Sequence, residues 1–382
     1  MNIPNEFDDI RPYCEEELPE AFERLLADEQ FQGLVKLLFP QITLDIVRAK
    51  MQQCKSGRDF EKVFVYDFIT SIIQQHTDGA DFDCSRLPDR QTHYTFISNH
   101  RDIVVDPALL CYGLLNEHLN TVEIAIGDNL LAREWIETFV RICKAFVVKR
   151  GLGLREQLQA SVQLSRYIHF SATKKHENIW IAQRQGRAKD SNDRTQDSVL
   201  KMLAMGCEGT PVENLRQLNL VPLSLSYEYD PCDYLKAKEA QQKRDNSDFR
   251  KSPQDDLLSM QTGIFGYKGH IHFQTSCCLN DELDEIDKLH LPKTELFGFI
   301  AKRIDRHIHQ NYRIYPCNRV ALDMLEGKST GTYSAEEKDR FEQYLQQQID
   351  KIELPNKDIP FLRERILEMY ANPLKNHFEA IQ

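Results

Sequence analysis

The segment TFISNHRDIVVDPALL, residues 95–110, decides the predicted fold. The apolar, β-branched run at its start predicts a strand, and Pro107 opens an apolar run that predicts a helix. His100 and two acids, Asp102 and Asp106, lie between them. A turn from a strand into a helix falls at the carboxyl end of the strand, where α/β folds usually build their sites. The segment therefore predicts an α/β fold with a polar site at that edge.

Carboxylates follow His100 in this turn, which is the minimum arrangement for a general base. One ring nitrogen of a histidine can take a proton while a carboxylate fixes the other nitrogen. Either Asp102 or Asp106 could be the partner. We predict Asp106, because a residue before proline is biased towards a turn. The alternative is a plain connection in which Asp106 caps a helix that begins at Pro107.

Short β-rich runs alternate with helical runs from residue 92 to about 275. This alternation is typical of a central mixed sheet covered by helices. We predict a helical N-terminal region at 1–85, an α/β core at 86–280 and a helical C-terminal region at 281–382, with a loop at 76–90. The predicted strands are 92–98, 121–126, 145–149, 178–183, 220–226 and 270–275. The predicted helices of the core and of the C-terminal region are 107–119, 129–143, 154–170, 197–206, 281–311, 335–352 and 356–370. The run at 234–256 is predicted to be a charged helix followed by a loop.

The composition is that of a globular protein, with 41% hydrophobic and 28% charged residues in a chain of 382. No apolar run approaches the roughly 20 residues that a membrane-spanning helix needs. The acidic amino terminus lacks the basic region and apolar core of a secretory signal. Ten cysteines are scattered without a Cys-x-x-Cys pair, which favours reduced thiols over a disulfide framework or a zinc site. We therefore expect a cytoplasmic protein.

The net charge of −11 is unevenly distributed. Residues 1–30 carry ten Asp and Glu against two Arg, whereas residues 141–201 carry thirteen Lys and Arg against five acids. A basic segment in an acidic protein suits a local anionic partner, such as a phosphate, coenzyme A or a lipid headgroup. Alternatively, the basic segment forms an ordinary solvent-exposed face that binds no anionic partner. We expect no nucleic-acid partner, because no basic stripe continues elsewhere in the chain.

Cationic side chains follow two further predicted strands, those at 145–149 and 178–183. Arginine can grip a phosphate with two parallel hydrogen bonds, and glycine lets a backbone approach a ligand closely. A solvated basic turn is the alternative interpretation. The residues of this predicted phosphate-binding edge are Lys149, Arg150, Arg184, Gly186, Arg187 and Lys189.

Together these segments resemble the glycerolipid acyltransferase superfamily, which includes the glycerol-3-phosphate and 1-acylglycerol-3-phosphate acyltransferases. The first motif of the family is Asn-His, four residues and Asp, often followed by Pro. Here Asn99-His100 and Asp106-Pro107 match, but five residues intervene and the strict position holds Val105. The extra residue is the reason why two acids compete as the partner of the histidine.

Three later motifs of the family have counterparts in the same order. A strand with Phe that ends in Arg is matched by Phe146 and Arg150. The family's Glu-Gly-Thr-Arg or Glu-Gly-Gly-Arg is replaced by Gln-Gly-Arg at 185–187, with Gln for Glu and Arg one residue early. The Val-Pro strand that lines the acyl site is matched at 221–222. Four motifs in order are more specific than any one of them.

The resemblance implies transfer of a fatty acyl group from an acyl thioester to the hydroxyl of glycerol-3-phosphate or 1-acylglycerol-3-phosphate, in phospholipid synthesis. His100 would be the general base, and the acceptor hydroxyl would attack the thioester directly. The donor, acyl-coenzyme A or acyl carrier protein, would be a substrate, and no cofactor is implied. Peripheral contact with the inner face of the cytoplasmic membrane is expected. The expected substrate-binding residues are Asn99, Arg101, Lys149, Arg150, Arg184, Gly186, Arg187 and Lys189.

Two other functions stay open at this point. Gln185 in place of the family's Glu keeps open an acyltransferase for another amphiphile, such as a lysophospholipid or an aminoacyl lipid. A lipid- or phosphate-binding protein in which His100 is idle belongs to another class. We predict no metal site, because neither the pair at 270 and 272 nor the pair at 307 and 309 has a third ligand spaced to help.

Overall fold

A seven-stranded mixed sheet forms the centre of the computed structural model, which describes residues 3–39, 41–87, 89–329 and 331–382. The strands are β1 (Gly79–Asp83), β2 (Thr95–Ser98), β3 (Val122–Gly127), β4 (Ala145–Val148), β5 (Asn178–Ala182), β6 (Leu220–Tyr227) and β7 (His270–Thr275). Their order across the sheet is β1-β7-β6-β2-β5-β3-β4. The mixed α/β fold predicted from the sequence is thus confirmed.

Five neighbouring strands, from β6 to β4, run parallel to one another. Strand β7 is antiparallel to β6 and parallel to β1. The carboxyl ends of the five parallel strands therefore meet at one edge of the sheet. Strand β2 lies between β5 and β6, so the segments that follow those two strands flank the turn that carries His100.

The central strands are buried on both faces because successive side chains of a strand point to opposite sides. Phe96 and Trp180 pack into one hydrophobic cluster, and Ile97 and Ile179 pack into another. Helices supply the remaining side chains of both clusters. The sheet is thus the middle layer between two layers of helices.

Helices make up most of the rest of the chain. Their bounds are α1 (Leu18–Ala27), α2 (Glu29–Leu38), α3 (Leu44–Gln53), α4 (Gly57–Phe60), α5 (Tyr66–His76), α6 (Val105–Asn116), α7 (Glu134–Ile142), α8 (Leu154–Phe170), α9 (Asp197–Leu203), α10 (Pro211–Gln217), α11 (Asp233–Asp245), α12 (Pro253–Phe265), α13 (Asn280–Asp287), α14 (Lys293–Gln310), α15 (Pro316–Glu326), α16 (Ala335–Asp350) and α17 (Ile359–Ile381). Helices α1 to α3 share one cluster with α7, and α15 to α17 share another with α11. The division at residues 85 and 280 stays a prediction.

The predicted loop at 76–90 was wrong in part, because residues 79–83 form β1, which pairs with β7. Residue 88 of that loop lies outside the described residues. The strand is short, begins with glycine and carries two aspartates, so its composition is unlike that of a typical strand. Helices α12 and α15 were also missed. The run at 234–256, predicted as a charged helix followed by a loop, contains Ser252 near its end, whose side chain caps α12 by accepting from the N–H of Asp255.

Candidate active site

The side chains of His100 and Asp106 form a hydrogen-bonded pair at the carboxyl end of β2. Nδ1 of His100 lies 2.8 Å from Oδ2 of Asp106. His100 is in the turn that follows β2, and Asp106 is the second residue of α6. The carboxylate is fully buried, whereas the imidazole keeps 13% of its side-chain surface exposed. The predicted pairing of His100 with Asp106 agrees with this distance.

Asp106 is held through both of its carboxylate oxygens. Oδ2 also accepts the backbone N–H groups of Arg101 at 2.6 Å and Asp102 at 3.0 Å. Oδ1 accepts the hydroxyl of Tyr227 at 2.8 Å. An ionised carboxylate only accepts hydrogen bonds, so the imidazole nitrogen that faces it carries the hydrogen. Nε2 of His100 is then the nitrogen that can take a proton, as a general base requires.

Asp102 serves the helix rather than the histidine. Its Oδ1 accepts the backbone N–H groups of Val104 at 2.9 Å and Val105 at 2.7 Å, and α6 begins at Val105. The alternative interpretation, in which Asp106 caps a helix that begins at Pro107, is therefore wrong. Burial raises the pKa of Asp102, and the neighbouring Asp106 raises it further.

Trp180 of β5 bounds the imidazole on one side. The two ring centroids are 5.3 Å apart, with the planes at 70°. The indole N–H donates to Oγ of Ser98 at 2.9 Å, and that hydroxyl donates to the carbonyl of Asn99 at 2.7 Å. These bonds connect the indole to the strand that delivers His100, so the aromatic wall and the histidine are fixed together.

Asn99 and Arg101, both predicted to bind substrate, hold the turn in place instead. The Asn99 amide donates to the carbonyl of Leu225 at 2.9 Å and accepts its N–H at 2.8 Å. The Arg101 guanidinium pairs with Asp193 through Nη2–Oδ2 at 2.6 Å and Nη1–Oδ1 at 3.2 Å, and both side chains are buried. Because these polar atoms are already bonded within the protein, the structure gives both side chains a structural task.

Two arginines follow β5, the neighbour of β2. Among the residues that the structure describes, Nε of Arg184 and Nη1 of Arg187 are buried without a hydrogen-bond partner. Burial would lower the pKa of the Arg187 guanidinium, but Cys232, Asp102 and Asp230 face it and raise that pKa. These two guanidinium nitrogens, at the end of the strand next to β2, therefore have hydrogen-bonding capacity for an anion.

Gly186 and Lys189 shape the same segment. Gly186 has φ of +71°, in the left-handed region that favours glycine, so the turn between the two arginines requires this residue. The Lys189 ammonium pairs with Glu239 at 2.8 Å. Burial outweighs that pairing and lowers the pKa of Lys189 to about 8. Lys189 is thus near the predicted anion site but is already bonded to a carboxylate.

Lys149 and Arg150 follow β4, the outer strand of the sheet. The Lys149 ammonium pairs with Asp9 and is 3.3 Å from the amide oxygen of Gln163. The Arg150 guanidinium lies over Gly127 at the end of β3, where an added Cβ would be 2.7 Å from Nε of the arginine. The side chain of Arg150 therefore reaches one strand closer to His100. Its backbone is three strands away, roughly 14 Å at the usual strand spacing.

Two contacts of this site were not predicted from the sequence. Tyr227 lies just beyond the predicted strand 220–226, yet its hydroxyl donates to Asp106. Gly263 of α12 touches Asp102, because a Cβ added there would lie 1.7 Å from Oδ2. The tyrosine-rich run at 227–234 was the only available signal for the first contact. Nothing in the sequence indicated the second.

No group of three or more His, Cys, Asp and Glu side chains in the described part of the chain is arranged to hold a metal ion. None of the described helices is long and apolar enough to cross a membrane.

Comparison of the chain with protein-family models and with curated protein sequences finds no match. The resemblance to the glycerolipid acyltransferases therefore rests on the four motifs alone, and the assignment to that family is a proposal.

Proposed function

We propose that the protein is an acyltransferase that moves a fatty acyl group from an acyl thioester to the hydroxyl of glycerol-3-phosphate or 1-acylglycerol-3-phosphate, in phospholipid synthesis. The observation that carries this proposal is the His100–Asp106 pair at the end of β2, with Arg184 and Arg187 following the neighbouring strand β5, each with a buried guanidinium nitrogen that has no hydrogen-bond partner among the described residues. A general base next to fixed cations suits an acceptor that bears both a hydroxyl and a phosphate. The family resemblance of the same segments supports the same chemistry.

In the proposed reaction, Nε2 of His100 removes the proton from the acceptor hydroxyl while Asp106 holds Nδ1–H. The acceptor oxygen forms a bond to the thioester carbonyl carbon, and the carbon–sulfur bond then breaks. The thiolate leaves with the proton that the imidazolium returns. No enzyme nucleophile is needed, because the acceptor oxygen is the nucleophile. The donor is acyl-coenzyme A or acyl carrier protein, and the reaction as written uses no cofactor or metal.

We assign the acceptor phosphate to Arg184 and Arg187, because β5 is the strand next to β2. A glycerol phosphate is a few ångströms long, so its phosphate must lie near the histidine when its hydroxyl faces Nε2. Arg150 reaches inward from the outer strand and is a second cation for the same anion. Arg184 and Arg187 are given the main role because β5 is next to β2, and Arg150 the secondary role because β4 is the outer strand.

We further propose a cytoplasmic protein that contacts the inner face of the membrane peripherally. Three leucines that follow Arg150 in the chain, Leu152, Leu154 and Leu158, support this proposal. Leu154 is 95% exposed, and Leu152 and Leu158 line an open groove of about 700 Å³. Exposed apolar side chains beside a basic segment suit the interface of an anionic bilayer, where an amphiphilic acceptor resides.

The test is thiol release from acyl-coenzyme A by the purified protein with a panel of acceptors. Glycerol-3-phosphate and 1-acylglycerol-3-phosphate should each be compared with a lysophospholipid that lacks a terminal phosphate and with an aminoacyl lipid. Acceptor-dependent release with a glycerol phosphate supports the proposal. Release only with the other acceptors would assign a different amphiphile, and phosphate binding without any release would indicate a binding protein.

A further inference from the structure

Tyr227 occupies the last position of β6 and is buried there. Its hydroxyl lies 2.8 Å from Oδ1 of Asp106, while His100 binds Oδ2 of the same carboxylate. The tyrosine and the histidine thus hold opposite oxygens of one acid. In sequence the tyrosine is far from both, and only the pairing of β6 with β2 brings them together.

The direction of the hydrogen bond is fixed by chemistry. Burial raises the pKa of Tyr227 well above its usual range, and the nearby Asp106 raises it further. The phenol therefore keeps its proton and is the donor to the carboxylate. A donor at Oδ1 prevents the carboxylate from turning about its Cβ–Cγ bond. The plane of the carboxylate then stays aligned with the imidazole.

The backbone around Tyr227 is itself tied to the turn. Leu225, two residues earlier on β6, exchanges two hydrogen bonds with the Asn99 amide, next to His100. The distance between Tyr227 and the pair is thus set by strand register rather than by a mobile loop. A contact whose geometry is set by strand register can hold a catalytic acid in one orientation.

We propose that Tyr227 is a positioning residue of the acyl-transfer reaction, acting on His100 through Asp106. The inference rests on the proposed function and adds to it a residue outside the predicted motif positions. Tyr227 does not touch substrate in this account. It keeps the acid in the one orientation that holds the histidine ready to accept a proton.

The experiment compares Tyr227→Phe with the wild-type protein in the thiol-release assay. The variant removes one oxygen atom and leaves the ring. A hydrogen bond to a charged group is at stake, so kcat should fall about tenfold. The KM for the acceptor should stay unchanged, because the anion-binding arginines are untouched. A purely structural role would instead lower thermal stability without a selective effect on kcat.

Tyr167→Phe is the matched control. Tyr167 is also buried and donates to a buried carboxylate, Glu123, at 2.7 Å, but this pair lies on α8 and β3. The control should lose stability to a similar degree and keep wild-type kcat. Assays are run well below the melting temperature of each variant, with the folded fraction checked by circular dichroism.

The outcomes separate the inference from the function on which it rests. Wild-type kcat in a folded Tyr227→Phe variant, or an equal loss of kcat in the Tyr167→Phe control, overturns the positioning role and leaves the proposed function standing. A wild-type protein that releases no thiol with any acceptor overturns both.

Discussion

Asp106 binds His100 at 2.8 Å, although it stands one residue later than the spacing of the resembling family would place it. Asp102 accepts the backbone N–H of Val105, the first residue of α6, and Asp106 follows in the first turn of that helix. The two acids thus have different tasks: one orients the imidazole and the other starts the helix.

The first prediction separates these two tasks. Asp106→Asn should reduce kcat by orders of magnitude, because an amide cannot stabilise the imidazolium and can favour the wrong tautomer. Asp102→Asn retains a capping oxygen and should cost less activity. Steady-state kinetics of both variants decides the assignment. A larger kcat loss in Asp102→Asn would reverse the roles.

The second prediction concerns the close approach of Gly263 to Asp102. Gly263→Ala puts a methyl group 1.7 Å from the carboxylate, so α12 or the turn must move. Overpacking of this kind costs about 1–3 kcal/mol, and activity should fall with it. Gly33→Ala is the control, because an added Cβ at Gly33 has no atom within 4 Å. At this exposed position of α2, alanine should stabilise by about 0.5–1 kcal/mol.

Chemical denaturation of the two glycine variants measures the difference. Equal stability of the variants would show that the contact between α12 and Asp102 is not tight.

The third prediction concerns the anion site. Arg184→Ala and Arg187→Ala should each lower kcat/KM for the acceptor by about tenfold to a hundredfold, because a charge-assisted hydrogen bond to phosphate is lost. Arg150→Ala should have a smaller effect, since its strand lies two strands further out. Arg166→Ala is the control, an exposed arginine of the same basic segment. Equal effects at Arg166 and Arg187 would show that only overall charge matters.

Glu61 provides a prediction about pH that does not depend on the proposed reaction. Burial raises its pKa from the ordinary 4.5 to about 7. Its Oε2 accepts the hydroxyl of Thr121 at 2.6 Å, and its Oε1 has no hydrogen-bond partner among the described residues. Between pH 4.5 and 7 the folded state keeps a proton that the unfolded chain releases. The contribution of this group to stability is therefore present at low pH and lost as the pH rises through about 7.

Glu61→Gln removes this titration. The stability of the variant relative to wild type should improve by roughly 3 kcal/mol as the pH rises from 4.5 to 8. Urea unfolding across this range gives the difference. A difference between wild type and variant that stays constant with pH would contradict the raised pKa.

The sequence was sufficient for features that depend on local pattern. The predicted helix at 154–170 and the predicted strand at 270–275 match α8 and β7 residue for residue. Both have regular apolar spacing that the fold preserves. The pairing of His100 with Asp106 was also predicted, but not for the right reason, because Asp106 lies within α6 rather than in a turn before Pro107 and reaches His100 from the first turn of the helix.

Contacts between residues distant in sequence could not be predicted from the sequence. Asn99 and Arg101 stand inside a motif that resembles a substrate site, but their partners, Leu225 and Asp193, are about a hundred residues away. A polar side chain in a motif looks the same whether it faces a ligand or the protein. Only the folded structure separates the two cases.

The most direct test of the central claim is the rate of acceptor-dependent thiol release from acyl-coenzyme A by wild-type protein and His100→Ala. If His100 is the general base, the variant should keep the fold by circular dichroism and lose roughly 10²–10⁴-fold in kcat. A folded His100→Ala protein that releases thiol at the wild-type rate would contradict the account.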